Sequence, residues 1–135
     1  MDKLTTERRS ANMRAIRSKH MKPELVVRRT VYGLGYRYRL HKKHLPGKPD
    51  LVFAGKRKAI FVHGCFWHQH QECREGRIPK TNLDYWKPKL ARNVVRDAEN
   101  ERSLREAGWS VLTLWECETK AADQLAEKLE IFLSQ

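Results

Sequence analysis

No stretch of this chain approaches the roughly 20 consecutive apolar residues that cross a bilayer, and no signal-like segment opens it. A membrane role is therefore not expected, and the expected location is the cytoplasm. Cysteine is scarce, at three residues in 135. An odd trio without an export signal argues against a disulfide framework and for thiolates on a metal ion. Acidic residues are also in short supply, 16 against 28 Lys and Arg, which leaves a formal charge of +12. That excess goes far beyond what solubility requires and attracts a polyanion, nucleic acid before anionic membrane. Internal repeats and low-complexity segments are missing as well. The length suits one domain, enough to bury a real core and too little for two.

The stretch Ala59 to Cys73 carries the most information, because an apolar run passes directly into a histidine and cysteine cluster. Cys65, His70 and Cys73 are spaced Cys-x4-His-x2-Cys, close enough for one loop to wrap a single ion. Cys117 is the candidate fourth ligand from far downstream. Sulfur and imidazole donors in that number suit a closed tetrahedral Zn²⁺ site, and closing so long a loop through a metal stabilises the fold.

Around this stretch the chain reads as helix, three strands, helix, strand, helix. Residues 1–22 are polar and basic, an arm suited to phosphate contact through Arg8, Arg9, Arg14, Arg17 and Lys19. Pro23 opens a helix with Glu24 in its first turn, and Gly33 and Gly35 stop it. Alternation over Tyr36 to Leu40 predicts a half-buried strand. Pro49 to Phe53 and Lys58 to His63 then form a hairpin. A long helix is expected from Tyr85 or Pro88 to Ala107, with Leu90, Val94, Ala98 and Leu104 on its apolar side and Asp97 beside it. Trp109 to Trp115 is the strongest strand, and Thr119 is the expected cap of the last helix.

Three groups can carry chemistry. Asp50, at the mouth of the hairpin, is a hard oxygen ligand for Mg²⁺ beside a phosphate. His63 and His68 remain once His70 is given to zinc, and imidazoles suit acid and base steps at a phosphodiester. Phe66, Trp67 and Trp86 lie beside cations, where aromatic rings stack on bases or wedge between base pairs. Tyr85 is expected in the core.

Taken in order, Asn12-Met13-Arg14-Ala15-Ile16, Leu45-Pro46-Gly47-Lys48-Pro49-Asp50, Phe61-Val62-His63-Gly64-Cys65-Phe66-Trp67-His68, Asn93-Val94-Val95-Arg96-Asp97, Gly108-Trp109 and Trp115-Glu116-Cys117 closely resemble the very-short-patch repair endonucleases, the Vsr family. The resemblance runs over about residues 8–133. It implies a restriction-endonuclease-like α/β fold, a mixed central sheet flanked by helices, in which residues 23–135 form the nuclease domain behind the basic arm of residues 1–22. It also implies a structural zinc and Mg²⁺-dependent nicking of double-stranded DNA, on the 5′ side of the thymine in a T:G mismatch left by deaminated 5-methylcytosine.

Residue by residue, the resemblance makes Asp50 the metal ligand, with the backbone carbonyl of Val62 beside it. His63 and His68 become the catalytic histidines, His68 the base for the attacking water, with Asp97 orienting a histidine and Glu24 standing at the hydrated metal site. Cys65, His70, Cys73 and Cys117 become the zinc ligands. One residue more than the family's loop between His70 and Cys73 keeps His68 open as the alternative ligand. Phe66, Trp67 and Trp86 become the wedge, and Met13 and Arg14 belong to the arm on the opposite groove. The implied protein is a monomer that meets other mismatch-repair proteins. A zinc-braced nucleic-acid-binding module without catalysis, or a restriction-type endonuclease, are the other readings of the same residues.

Overall fold

In the computed structural model, which describes residues 22–71 and 73–135, Pro23 opens the first helix, α1 (Pro23–Gly33). Its missing N–H costs nothing at that position. Val26, Val27 and Val31 form the buried face of α1, while Arg29 points to solvent. The chain then runs through β1 (Arg39–Leu40), β2 (Leu51–Phe53), β3 (Lys58–His63), α2 (Leu83–Glu106), β4 (Ser110–Trp115) and α3 (Ala122–Ser134), with short 3-10 turns at Arg74–Gly76 and Glu116–Lys120. The expected order of elements is present, as a mixed α/β fold.

The four strands lie in the order β1-β2-β3-β4. β1 and β2 pair antiparallel, as do β2 and β3, whereas β3 and β4 are parallel and joined through α2. Alternation along β3 divides its side chains between two cores. Ile60 and Val62 join Leu51, Phe53 and Leu114 under α1 and α3. Ala59 and Phe61 join Val111 and Leu104 under α2. Helices thus cover both faces of the sheet. Full burial of residues such as Leu51, Ile60, Leu114 and Leu129 contributes about 1.5–3 kcal/mol each. Lys58, buried at the start of β3, donates to the carbonyls of Phe132 and Gln135 and so satisfies the end of α3.

Three local expectations change. The strand read over Tyr36 to Leu40 shrinks to Arg39–Leu40, which pairs with Val52 and Leu51. Tyr36 and Tyr38 pack on the core instead. Thr119 does not cap α3: its hydroxyl donates to the Glu116 carbonyl at 2.7 Å within the 3-10 turn, and the helix starts at Ala122. On α2, only Leu90 and Leu104 of the expected apolar side are buried, with Val94 and Ala98 exposed. The inward stripe is Leu90, Asn93, Asp97, Asn100 and Leu104, whose middle is polar and half-buried. Among the described residues no helix is long and apolar enough to cross a membrane.

Candidate active site

The parallel register of β3 and β4 sets His63 opposite Trp115. Two residues farther along each strand stand Cys65 and Cys117, so the pairing itself carries the two thiols to one place. The turn after β3 is closed by the His70 N–H on the Cys65 carbonyl at 2.9 Å and by the Gln69 amide on the carbonyls of Phe66 and Gly76. It returns His70 Nδ1 to 3.7 Å from Cys65 Sγ and 3.4 Å from Cys117 Sγ. Cys73 completes a group whose donor atoms lie within 4.8 Å of one another. A tetrahedral site with Zn–S near 2.3 Å and Zn–N near 2.0 Å separates sulfur from nitrogen by about 3.6 Å, so the cluster fits a metal ion. Burial pushes the Cys65 thiol up to about 12 and raises Cys117 also. A divalent cation reverses that preference by taking the thiolates as ligands. Gly76 seals the loop: a Cβ there would stand 2.7 Å from the His70 carbonyl oxygen.

His70, rather than His68, belongs to this cluster, and its ring stacks on Trp115 at 4.3 Å. His68 turns the other way. Its Nδ1 lies 2.5 Å from Asp97 Oδ2, and its ring stacks on His63 with centroids 3.8 Å apart. The three are brought together by different elements. His63 continues the Ala59 and Phe61 face of β3 toward α2, Asp97 stands on the inward stripe of α2, and the cysteine-bearing loop supplies His68. Burial, and then the neighbouring His68, pull the His63 imidazole down to about 4. It is therefore neutral near pH 7 and offers an N–H or a lone pair.

Asp50 is placed by the end of β2. Leu51 pairs with Ile60, and by the same register Val62 would face Pro49, just beyond the end of β2. The Asp50 carboxylate takes up the Val62 N–H instead, at 2.6 Å. Glu24, from the first turn of α1, joins Asp50 and His41 in a second group of possible metal ligands. Burial, helped by the nearby Glu24, raises the Asp50 carboxyl from 3.8 to about 6, although the Val62 N–H works against the shift. Two facing carboxylates in a partly buried setting suit a hard cation. Asp50, His63, His68 and Asp97 all line one cleft of about 1380 Å³, rimmed by Lys43 and Arg96 among other cations.

Beside the cleft, Phe66, Trp67 and Trp86 meet edge to face, with centroids 5.1 to 5.7 Å apart. Trp67 is 47% exposed, and Asn93 holds its carbonyl at 3.0 Å. Tyr85 extends the group at 4.8 Å from Trp86. Its 58% exposure corrects the core position expected for it, because it sits on the outer side of α2. Met13 and Arg14 lie outside the described residues.

A family model described as "DNA mismatch endonuclease Vsr" matches residues 1–75. The DNA mismatch endonuclease Vsr of Escherichia coli (strain K12) is 39% identical over 120 residues, covering 89% of this chain and 76% of the relative. The chain belongs to the Vsr family. Two further relatives carry the name type II nicking enzyme. V.XorIIP of Xanthomonas oryzae pv. oryzae is 47% identical, over 98% of this chain and 96% of its own length. V.NmeAIP of Neisseria meningitidis serogroup A is 43% identical, over 95% and 91%.

The structure brings the four expected soft ligands together and sets Asp97, expected to orient a histidine, against His68; two residues near the site were overlooked in the sequence. Asn93 was hidden by assigning the wrong stripe of α2 to the core. His41 was visible in the register: Arg39 pairs with Val52 and Leu40 with Leu51, so the next residue out faces Asp50.

Proposed function

We propose that this chain is a strand-specific DNA mismatch endonuclease, nicking on the 5′ side of the thymine in T:G mismatches and so starting very-short-patch repair. The reading rests above all on the convergence of Asp50, His63, His68 and Asp97 in one cleft with a basic rim. Residues 23–135 act as a single restriction-endonuclease-like domain, preceded by a DNA-contacting arm. Zn²⁺ on Cys65, His70, Cys73 and Cys117 is structural. Asp50, with Glu24 and the Val62 carbonyl nearby, would hold Mg²⁺, which would supply Lewis-acid polarisation of the scissile phosphate and stabilisation of the charge that develops there.

The remaining work falls to side chains. With Nδ1–H donated to Asp97 at 2.5 Å, His68 keeps a lone pair on Nε2, the atom that takes the proton from attacking water. Asp97 fixes that tautomer and steadies the imidazolium once formed, as a carboxylate behind a histidine does. His63, neutral and stacked on His68, limits the tilt of its ring and offers one hydrogen bond. Lys43, Lys48 and Arg96 on the rim hold the backbone phosphates. Phe66, Trp67 and Trp86 enter at the mispair, where unstacking costs less than in a paired duplex. The protein acts as a cytoplasmic monomer on duplex DNA, with other mismatch-repair proteins following.

A duplex with one T:G pair, labelled on either strand and incubated with Mg²⁺, tests this. The expected product is a single nick 5′ of the thymine, with the T:A duplex left whole. Binding without a nick would instead identify a nucleic-acid-binding module, and cutting both strands of a paired duplex a restriction-type enzyme.

A further inference from the structure

His41 stands between the two carboxylates of the proposed catalytic metal site. Its Nε2 is 3.3 Å from Glu24 Oε2 and its Nδ1 is 3.9 Å from Asp50 Oδ1. The backbone is bent to put it there. His41 adopts φ 46°, a left-handed conformation uncommon for a residue with a Cβ, while its N–H meets the Asp50 carbonyl at 3.4 Å. One donor atom from each of Glu24, His41 and Asp50 falls within 4.8 Å of the others. The separation of 3.3 Å is close to that of adjacent ligands around an octahedral cation, about 3.0 Å for bonds of 2.0–2.1 Å. Arg28 meets the same Glu24 oxygen at 3.7 Å, farther off than the imidazole at 3.3 Å.

We infer that His41 is a third protein ligand of the catalytic divalent cation, giving the site a nitrogen donor beside the oxygens of Asp50 and Glu24. The inference rests on the reading of Asp50 as a metal ligand. Its consequence is selectivity. Oxygen-only sites suit Mg²⁺, whereas an imidazole strengthens binding of Mn²⁺ and the later divalent ions of the first transition row.

The test uses full-length protein with one equivalent of zinc already in the cysteine site, loaded with Mn²⁺ and read by pulsed electron paramagnetic resonance for coupling to nitrogen-14. The comparison variant is His41→Asn, since asparagine tolerates the left-handed backbone and its amide nitrogen has no lone pair to give. The expected result is a nitrogen coupling in the wild type that disappears in His41→Asn, with Mn²⁺ affinity falling by about tenfold and Mg²⁺ affinity by less. No coupling in the wild type, or the same coupling in both proteins, overturns the assignment of His41. Loss of Mn²⁺ binding in Asp50→Ala, with an unchanged circular dichroism spectrum, supports the underlying reading. Mn²⁺ binding retained in Asp50→Ala would overturn that reading and the inference with it.

Discussion

Two clusters of side chains that could hold a metal ion flank the end of β3, and they differ in every property that decides what a cation does. The Cys65, His70, Cys73 and Cys117 group is soft, closed by its own loop and pinned by strand register. The Glu24, His41 and Asp50 group is hard and beside an open cleft. A closed set of four protein ligands leaves no position for substrate and serves structure, whereas an incomplete oxygen-rich set serves chemistry. The loop links the two roles: the turn that delivers His70 to the cysteines also delivers His68 to Asp97 and Trp67 to the outer surface.

Breaking the soft cluster has the largest expected effect. Cys65→Ser should remove the zinc and destabilise the protein by on the order of 5 kcal/mol. Nicking should disappear with it, since His68 loses its support. Metal analysis and thermal melting check this, and an unchanged melting temperature would separate the loop from the metal.

Asp50→Asn acts only on the hard cluster and should move two quantities in opposite directions. The amide oxygen still accepts the Val62 N–H, so the fold is kept, while nicking drops by about a thousandfold. In metal-free protein the same change should raise stability at neutral pH by about 1–2 kcal/mol. The sign follows from the raised carboxyl, 3.8 to about 6. Between those values the folded state holds a proton that the unfolded chain has lost, so stability falls as pH rises through the window. That step should flatten in Asp50→Asn melts recorded across pH 4 to 7. Asp97→Asn sharpens the comparison further, because it spares both clusters. Single-turnover nicking should fall by about a hundredfold through loss of the His68 tautomer, with zinc content and DNA affinity unchanged.

How much of this could be read in advance depended on how local the signal was. The Cys-x4-His-x2-Cys spacing and the run of β3 are properties of neighbouring residues, and the fold kept them, whereas the strand read from Pro49 begins only at Leu51. That Cys117 reaches the loop is a matter of parallel register, set by the apolar pairing of Ile60 with Leu112 and of Val62 with Leu114, which spacing alone does not reveal. Extra length between His70 and Cys73 left two histidines open to the soft site, and the short contact with Asp97 separates them. The apolar side of α2 was misread because the stripe facing the sheet is interrupted by Asn93, Asp97 and Asn100. Polar residues occupy it because the site is there, and period alone favours the exposed Val94. Gly47 fits the same picture: its φ is 75°, and a Cβ would lie 3.0 Å from the Asn100 side chain, so the basic loop rests directly on α2.

The division between one fixed soft ion and one exchangeable hard ion is tested most directly by counting zinc and measuring nicking on the same sample. Protein dialysed against EDTA and then titrated with Mg²⁺ on a T:G duplex should retain one zinc per chain, give no nick before Mg²⁺ is added and recover full activity as it is restored. Zinc lost in the same dialysis, or nicking that proceeds with no added divalent ion, would contradict the account.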